Sequence, residues 1–503
     1  MIRQGVVLVL AAALAVLPRA ARAQGYRLQL VTGAQAASYR GVTLDSVPAG
    51  SVTTGPDGGL VSPEGFAVTC TPAAAYCLFY RPGPTRTGAP ITSTADLTLW
   101  GLGVRGLSVH VLARAGAELG DANAWPGTSP ALQLIEGYGE YANERILGRV
   151  GRLAYAAPFG YTGYDGASLT LRDPHTGLEL TGYGGWGLAQ GVALPVTSPA
   201  LNPLNDFQPE QRQVVAGAAA GIRSRWVDAR LDYQRQVDQR SDYFVSERAY
   251  ASVVARPVRA WSLAGGVEYD MAADVWGSAD LTVAYRPARG WISGSVTGRR
   301  YHPHFDLWTI WGAFSPVSYK ALDGSLDLTP IHRVSLHATG ETYKYDPTET
   351  STPLTDTRNT GWRYAWTVRY SPPVPCTLEL GHHADFGPGA GGRGVDGGAT
   401  CVPDRHVTVG LHAGTLDRTL EFRYDDATVT YVGINASYVP AERWRFQADV
   451  SRYSEERQRP DPAGFNWDQF RVSGRITLLL GSADALTGVP AAVQAVPDVP
   501  RAP

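Results

Sequence analysis

Lysine, cysteine, methionine and charge of either sign are scarce in this chain of 503 residues. Lys320 and Lys344 are the only lysines, so nearly all of the 44 basic residues are arginine. Charged residues make up 18% of the chain, below the roughly 25% of soluble domains. The net charge of −2 lacks the basic excess with which a general nucleic-acid binder displaces counterions. We therefore expect no nucleic-acid partner.

Long helices and helical membrane spans are also disfavoured. The chain contains 57 glycines and 35 prolines, which interrupt helices. Beyond its N-terminal region it has no apolar run of about 18 residues, the length at which a transmembrane helix is suspected. A β-strand crosses a bilayer with only about 10 residues, apolar towards lipid and polar towards the lumen. The composition is therefore compatible both with a secreted all-β protein and with an outer-membrane barrel.

The N-terminus predicts secretion. Arg3 supplies a positive start, Val6 to Leu17 an apolar stretch, and Ala21-Arg22-Ala23 a cleavage site with small residues. We expect residues 1–23 to be a signal peptide that is cleaved after Ala23. The apolar run is about 12 residues long, too short for a membrane anchor of about 20.

Strict alternation of apolar and polar residues runs through the chain from about residue 94 to 481. It is complete in Leu107–Ala117, Trp226–Gln234, Ser278–Arg286, Trp362–Tyr370, Trp444–Ser451 and Phe470–Leu480. A soluble sandwich alternates in the same way. However, a sandwich of this length would divide into several domains with linkers, and the polar face mixes arginine with acids as in a wet lumen. The pattern therefore favours a membrane barrel.

Tight turns recur at a spacing that fits two strands and one longer loop. They fall near residues 104–106, 142–144, 174–176, 224–225, 258–260, 288–290, 331–333, 372–374, 403–405 and 441–443. With a last strand at Phe470–Leu480 and a first strand within Tyr26–Tyr39, they give about 22 strands, or 18 to 20 if segments such as Val395–Val402 are loops. We predict an all-β fold, a transmembrane up-and-down antiparallel barrel over residues 94–481.

Tryptophans follow several of the tight turns and form a predicted girdle at one membrane interface, because indole is amphipathic. They are Trp226, Trp261, Trp291 and Trp444.

Two segments flank the predicted barrel. Residues 24–93 contain the first strand and a long non-alternating stretch from residue 44, which is either a lid or small plug, or a plain surface loop. Residues 482–503 are rich in Pro, Ala and Val, and we expect a disordered periplasmic tail.

The cysteines fit an oxidising compartment. Cys376 and Cys401 lie symmetrically about the glycine-rich stretch Gly387–Gly394, so a hairpin there would place them opposite each other. We predict this disulfide, and a second one that closes a small loop between Cys70 and Cys77. Neither pair forms part of a Cys-x-x-Cys-His motif, so covalent haem is not expected.

Together these features resemble a Gram-negative outer-membrane β-barrel. A narrower likeness is to alginate-export-like porins: Gly148-Arg149-Val150-Gly151-Arg152 followed by Tyr164–Leu169 is similar to their "LGR…DG-x-x-L" strand pair. The resemblance implies location in the outer membrane, contact with its lipid and insertion by the barrel-assembly machinery. One departure is the end of the chain, because such barrels usually finish on an aromatic residue, whereas here the tail follows Leu480.

Several side chains are candidates for function. The predicted lumen-lining residues are Asp228, Arg230, Asp232, Asp280, Arg363, Arg369, Arg445, Asp449, Arg471 and Arg475. An aromatic stretch contains Phe305, Trp308, Trp311 and Phe314, and it either folds inward as a constriction or extends the aromatic girdle. His304, His382 and His383 lack a third ligand at a telling spacing, so we expect no metal and no cofactor.

No motif of a hydrolase, zinc protease or phosphate-binding enzyme occurs, and we expect no enzymatic activity. The leading function is a porin-like channel for passive passage of small polar or charged solutes. A sheath around a separate multihaem cytochrome is the alternative. Energy-coupled uptake, which commonly uses a plugged barrel of about 22 strands, comes third.

Overall fold

The structure is a computed structural model. It describes residues 25–55, 58–120, 131–158, 160–188, 213–237, 244–272, 274–302, 318–346, 359–387, 390–418, 426–459 and 466–482. The expected signal peptide, the tail beyond residue 482, and the aromatic residues Phe305, Trp308, Trp311 and Phe314 lie outside the described residues.

The described chain is almost entirely β-strand. Its first part contains β1 (Gly25–Pro48), a short 3-10 turn (Ala49–Ser51), β2 (Thr53–Thr54), β3 (Leu60–Val61), β4 (Val68–Thr69), β5 (Tyr76–Gly88) and β6 (Pro90–Trp100). Among the described residues, no helix is long and apolar enough to cross a membrane.

The remaining strands follow one another around the sheet. They are β7 (Leu107–Glu118), β8 (Leu132–Ala142), β9 (Ile146–Ala157), β10 (Gly160–Asp173), β11 (Leu178–Gly187), β12 (Val214–Arg223), β13 (Val227–Val237), β14 (Phe244–Val258), β15 (Trp261–Asp270), β16 (Val275–Tyr285), β17 (Ile292–Tyr301), β18 (Tyr319–Ile331), β19 (Val334–Tyr345), β20 (Thr360–Tyr370), β21 (Cys376–Gly387), β22 (Ala390–Asp404), β23 (Val407–Arg418), β24 (Asp426–Ala441), β25 (Trp444–Arg459) and β26 (Trp467–Gly481).

Strand β1 closes the sheet on itself. One edge of β1 pairs antiparallel with β26, from Arg27 opposite Gly481 to Ala37 opposite Arg471. Its other edge pairs with β6, beginning with Gly25 opposite Trp100. The strands β1 and β6 to β26 form a closed antiparallel barrel of 22 strands, as the turn spacing predicts. Closure satisfies the backbone groups that a free strand edge would leave unpaired in lipid.

Short turns join the strands at one end of the barrel, which we call the short-turn end. The pairs that flank three of these turns are Val258 with Trp261, Ile331 with Val334, and Ala441 with Trp444. Every tight turn of the sequence analysis falls between two neighbouring strands of the barrel. The start of β1 and the end of β26 lie at this same end.

The outer face of the barrel carries large apolar side chains. Leu231, Leu281 and Val296 are each more than half exposed, which in a membrane barrel means contact with lipid. The other face of the same strands carries polar groups that reach one another across several strands. Tyr155 of β9 donates a hydrogen bond of 2.9 Å to Asp232 of β13. Since β10, β11 and β12 lie between them, this bond crosses the concave side of the wall, which is the lumen.

Aromatic rings lie flat against the inner wall where the neighbouring strand has glycine. A Cβ atom added at Gly217 would lie 2.2 Å from the ring of Tyr183, and one at Gly361 would lie 2.2 Å from the ring of Tyr343. Only glycine leaves room for these rings. The rings therefore add thickness to the wall instead of projecting across the lumen.

The N-terminal segment differs in part from the expected long loop. Beyond the barrel, β1 continues as a two-stranded hairpin with β5, from Ala37 opposite Gly88 to Pro48 opposite Tyr76. Residues 82–84, Pro-Gly-Pro, obscure the alternation in the sequence, and the register shifts beside them, between Arg40 and Val42. The hairpin extends the barrel wall away from the short-turn end.

The tip of this N-terminal hairpin folds back on β5. Strand β4 pairs with β5, the ring of Phe66 stacks on Phe79 at 5.7 Å, and Cys70 is bonded to Cys77. The second predicted disulfide is present as well: Cys376 and Cys401 lie directly opposite each other on β21 and β22. Both predictions of disulfides are therefore confirmed.

The two faces can be tested with one pair of variants on β16. Leu281 points outward near the middle of the strand, and its neighbour Thr282 points inward, where its hydroxyl lies 2.9 Å from that of Thr297. We expect Leu281→Arg to destabilise the barrel by about 2–4 kcal/mol because it places a charge in hydrocarbon. Thr282→Arg should cost much less, since its charge enters the lumen.

The measurement is the folded fraction after refolding into phosphatidylcholine vesicles with urea, read from the mobility of unheated samples on gels. Equal losses for both variants would contradict the assignment of the two faces.

Candidate functional site: the inner wall of the barrel

A cluster around Asp232 ties together strands that are not neighbours. The guanidinium of Arg230 donates to both oxygens of Asp232, at 2.7 and 2.8 Å, and to the hydroxyl of Tyr155 at 2.6 Å. Asp232 is only 1% exposed. A buried carboxylate needs such a set of donors, because burial without them is costly. Arg230 and Asp232 are thus both on the inner wall and already committed to each other.

The amide of Gln234 extends this cluster by one more layer. Its Nε2 donates to the hydroxyls of Thr162 and Tyr183, each at 3.0 Å. Beside it, Tyr164, Tyr183 and Val215 form a small buried apolar cluster. The inner wall from β9 to β13 is therefore packed and hydrogen-bonded like a protein core.

A second network is centred on Glu341 of β19. Arg363 of β20 donates to both of its oxygens at 2.9 Å, and Arg299 of β17 donates to it as well. Arg299 also lies 3.7 Å from Asp323. The network spans four strands on the concave side and places the predicted residue Arg363 on the inner wall.

Three further predicted residues belong to the same kind of wall. Asp228 forms an ion pair of 2.8 Å with Arg256. Arg369 pairs with Glu379 of the neighbouring strand. Asp280 lies opposite Arg299 in the register of β16 and β17. Five of the ten predicted lumen residues, Asp228, Arg230, Asp232, Arg363 and Arg369, thus belong to an arginine–carboxylate pair.

Arg445, Arg471, Arg475 and Asp449 are arranged differently. They lie on β25 and β26, where Arg475 is opposite Gln447 and Arg471 is opposite Ser451. Arg471 donates to Gln469, and its guanidinium stacks over the ring of Tyr453 at 4.5 Å. Among the described side chains, none of these three arginines makes an ion pair within 4.0 Å. They form the part of the wall whose charges remain available.

Several inner-wall residues escaped the sequence analysis. Arg149 pairs with Glu140 at 2.7 Å, and Arg248 lies 3.4 Å from Glu268. The alternation of their strands carries the signal, but glycines and tyrosines on both faces obscure it. Tyr155 could not have been found in this way, because its role depends on a contact between β9 and β13.

The residues that carry the likeness to alginate-export-like porins lie on adjacent strands. Arg152 of β9 is opposite Asp165 of β10 and donates two hydrogen bonds to its carboxylate, at 2.8 and 3.0 Å. A bidentate pair of this kind fixes register as well as adding stability. The motif therefore holds two strands together.

The predicted girdle tryptophans all lie next to short turns and are all exposed. Trp226, Trp261, Trp291 and Trp444 are between 40% and 60% exposed. The guanidinium of Arg225 lies over the ring of Trp226 at 4.8 Å. Their position at one end of the barrel fits a membrane interface.

Among the described residues, the histidines form no cluster that would hold a metal. The ring of His382 stacks against Tyr364 at 5.5 Å, and His383 Nδ1 lies 3.9 Å from Asp396. In the part of the chain that the structure describes, no group of three metal-ligating side chains occurs. His304 lies outside that part.

No family model matches the sequence, and no curated protein matches it. Among solved structures, the barrel is similar to the copper transporter OprC, with 11% identity and a TM-score of 0.45, over 90% of this chain and 80% of that one. It is also similar to a BenF-like porin from Pseudomonas fluorescens Pf-5, with 9% identity and a TM-score of 0.39, over 90% and 99%. For OccK9 (OpdG) of Pseudomonas aeruginosa the values are 12% identity and 0.40, over 91% and 99%.

The Asp232 cluster predicts that replacing Asp232 destabilises the barrel more than replacing the nearby Asp228. Asp232→Ala removes the acceptor of both Arg230 and Tyr155, and we expect a loss of about 1–3 kcal/mol. Asp228→Ala breaks a pair whose arginine side chain is 47% exposed, so we expect less than about 1 kcal/mol. The measurement is the midpoint of urea unfolding in vesicles, followed by tryptophan fluorescence. A larger shift for Asp228→Ala would show that the cluster does not stabilise this part of the wall.

Proposed function

We propose that this protein is a channel of the bacterial outer membrane that allows small polar or charged solutes to pass without energy coupling. The outer face of the barrel contacts lipid, the short-turn end faces the periplasm, and the opposite end faces outward. The signal peptide delivers the chain to the periplasm, and the barrel-assembly machinery inserts it. Small solutes, the surrounding lipid and that machinery are the partners of this function.

The observation that carries the proposal is the inner wall itself. Charged side chains line it, and many are fixed by bonds to another side chain of the wall, as Arg363 is by Glu341 and Arg230 by Asp232. Tyrosine rings such as those of Tyr183 and Tyr343 lie flat over glycines. A wall that is polar and ordered, with its rings lying flat, provides a hydrated path whose selectivity depends on charge.

Every described strand belongs either to the barrel or to the N-terminal hairpin with its tip. This arrangement disfavours energy-coupled uptake, because barrels of about 22 strands with that function hold a plug in the lumen. Here β1 is a strand of the wall, and the hairpin extends the wall beyond the end opposite the short turns. A sheath around a multihaem cytochrome remains the alternative, since a wide barrel suits both roles.

Reconstitution in a planar bilayer decides between channel and sheath. We expect the purified full-length protein to give stepwise, voltage-independent conductance at neutral pH, because water and ions fill a polar lumen. The same preparation, heated until its gel mobility is that of the unfolded chain, serves as the control. A sealed membrane without current would contradict the channel, and co-purification of a multihaem cytochrome would then support the sheath.

A further inference from the structure

Arginines on the inner wall fall into two groups. Around most of the barrel they have a carboxylate partner, as in Arg149 with Glu140, Arg172 with Glu179, and Arg256 with Asp228. From β25 through β26 and β1 to β7 the pattern changes. There, between the short-turn end and the level of Arg471, no inward arginine makes an ion pair within 4.0 Å among the described residues. We call this group the arginine arc; its members are Arg27, Arg114, Arg445, Arg471 and Arg475.

The strand register shows that the arc runs along the barrel axis. Arg471 and Arg475 lie four residues apart on β26, about 13 Å at the rise of a strand. Arg445 on β25 is opposite Thr477, one inward position further towards the short-turn end. Arg27 on β1 is opposite Gly481, at that end itself. The positive charges thus form a series that leads from the outer part of the lumen to its periplasmic end.

The register neighbours of the arc are mostly neutral, and the inward carboxylate of Asp96 on β6 lies 3.7 Å from His110. Arg114 donates to the amide oxygen of Gln133 at 3.2 Å. Arg475 has Gln447 on one side and Gly33 on the other. Asp449, which lies between Arg471 and Arg475 in register, instead accepts a hydrogen bond of 3.3 Å from Ser451. The guanidinium groups therefore keep most of their donors for a solute.

The wall about half-way round the barrel has the opposite balance. On β15 to β18, inward carboxylates outnumber inward arginines; they are Glu268, Asp270, Asp280, Asp323 and Asp327. Of the arginines there, Arg299 is shared between Asp323 and Glu341. The lumen thus has a basic side and an acidic side, and an anion is attracted to the first and repelled by the second.

We infer that the arginine arc binds anionic solutes and makes the channel selective for anions. This inference rests on the proposed channel function. The chemistry recognised is a carboxylate or phosphate group, because guanidinium presents a fixed fork of donors to either. In a paired arginine the N–H donors are bonded to the partner carboxylate, whereas the arginines of the arc have no carboxylate bonded to theirs within the described chain. An anion moves along the arc by exchanging one guanidinium for the next.

The arc can also be explained as charges that merely offset the acidic wall and bind nothing. The two explanations differ in whether the effect of removing an arginine depends on its position in the barrel. Lumen charges within about 8–10 Å of the path act on an ion directly at physiological salt, while charges outside the lumen are screened. Replacing arginines of the arc should therefore alter selectivity, and replacing the same number on the outside should not.

The test uses the full-length protein in planar bilayers of phosphatidylcholine, which carries no net charge. The variant Arg445→Gln/Arg471→Gln/Arg475→Gln is compared with Arg105→Gln/Arg259→Gln/Arg289→Gln, whose residues are exposed in or beside short turns. Reversal potentials in a KCl gradient give the permeability of chloride relative to potassium. We expect anion preference in the wild type, and a drop of roughly threefold or more only in the arc variant. Unchanged selectivity in the arc variant would overturn the inference.

A second arm distinguishes binding from simple attraction. Succinate, inorganic phosphate or uncharged glycerol is added to wild type and arc variant at constant ionic strength. We expect succinate, phosphate or both to cause transient block or lower conductance in the wild type, with the effect lost in the arc variant and absent for glycerol. Block by one anion alone identifies the class of ligand. Equal effects in both proteins would overturn binding by the arc.

The outcomes separate the inference from the function on which it rests. If neither protein conducts, the proposed channel function fails. If both conduct with the same chloride preference, the channel stands and the arginine arc fails. Gel mobility of unheated samples shows whether the arc variant is folded, and a version with only Arg475→Gln gives a smaller shift in the same direction if the triple variant does not fold.

Discussion

The constraint on which the structure depends is that every backbone N–H and C=O within hydrocarbon needs a partner. A sheet meets it only when its first and last strands pair, and here β1 pairs with β26. Leu28 opposite Leu480 and Leu30 opposite Leu478 fix that register, because a slip by one residue would turn arginines such as Arg475 towards lipid,. Closure and alternation are therefore one requirement: the pairing that satisfies the backbone also assigns each side chain to lipid or to the lumen.

Charges assigned to the lumen must in turn be stabilised or hydrated. From β9 to β13 the wall buries Asp232 and Gln234, and each is fully bonded, as a low-dielectric site demands. On β25 and β26, Arg445, Arg471 and Arg475 make no ion pair within 4.0 Å among the described residues, so their charges depend on water. One part of the wall thus resembles a protein core, and another part resembles a solvated surface. Ion pairs lock the first, and the second is free to exchange partners with a solute.

The closed barrel, its strand number and both disulfides could be predicted from the sequence, because period-2 alternation, turn residues and cysteine symmetry are local signals. The N-terminal hairpin could not, since Pro82 and Pro84 with Gly83 interrupt the alternation of β5 while β1 still pairs with it. The inner-wall clusters are the least predictable feature. Arg230 and Asp232 are adjacent inward positions and could be placed on one face, but Tyr155 joins them only through the curvature of the whole barrel.

Glycine connects this curvature with the width of the lumen. A tyrosine on the inner face can point across the channel or lie along the wall, and the second choice requires a neighbouring strand without a side chain. Gly217 beneath Tyr183, and Gly361 with Gly387 beneath Tyr343, supply that space. The high glycine content, which in the sequence mainly argues against helices, therefore has a second consequence. It allows the barrel to bury aromatic surface against its own wall while charged groups such as Arg475 remain at the water, which is where an electrostatic selection of solutes has to operate,.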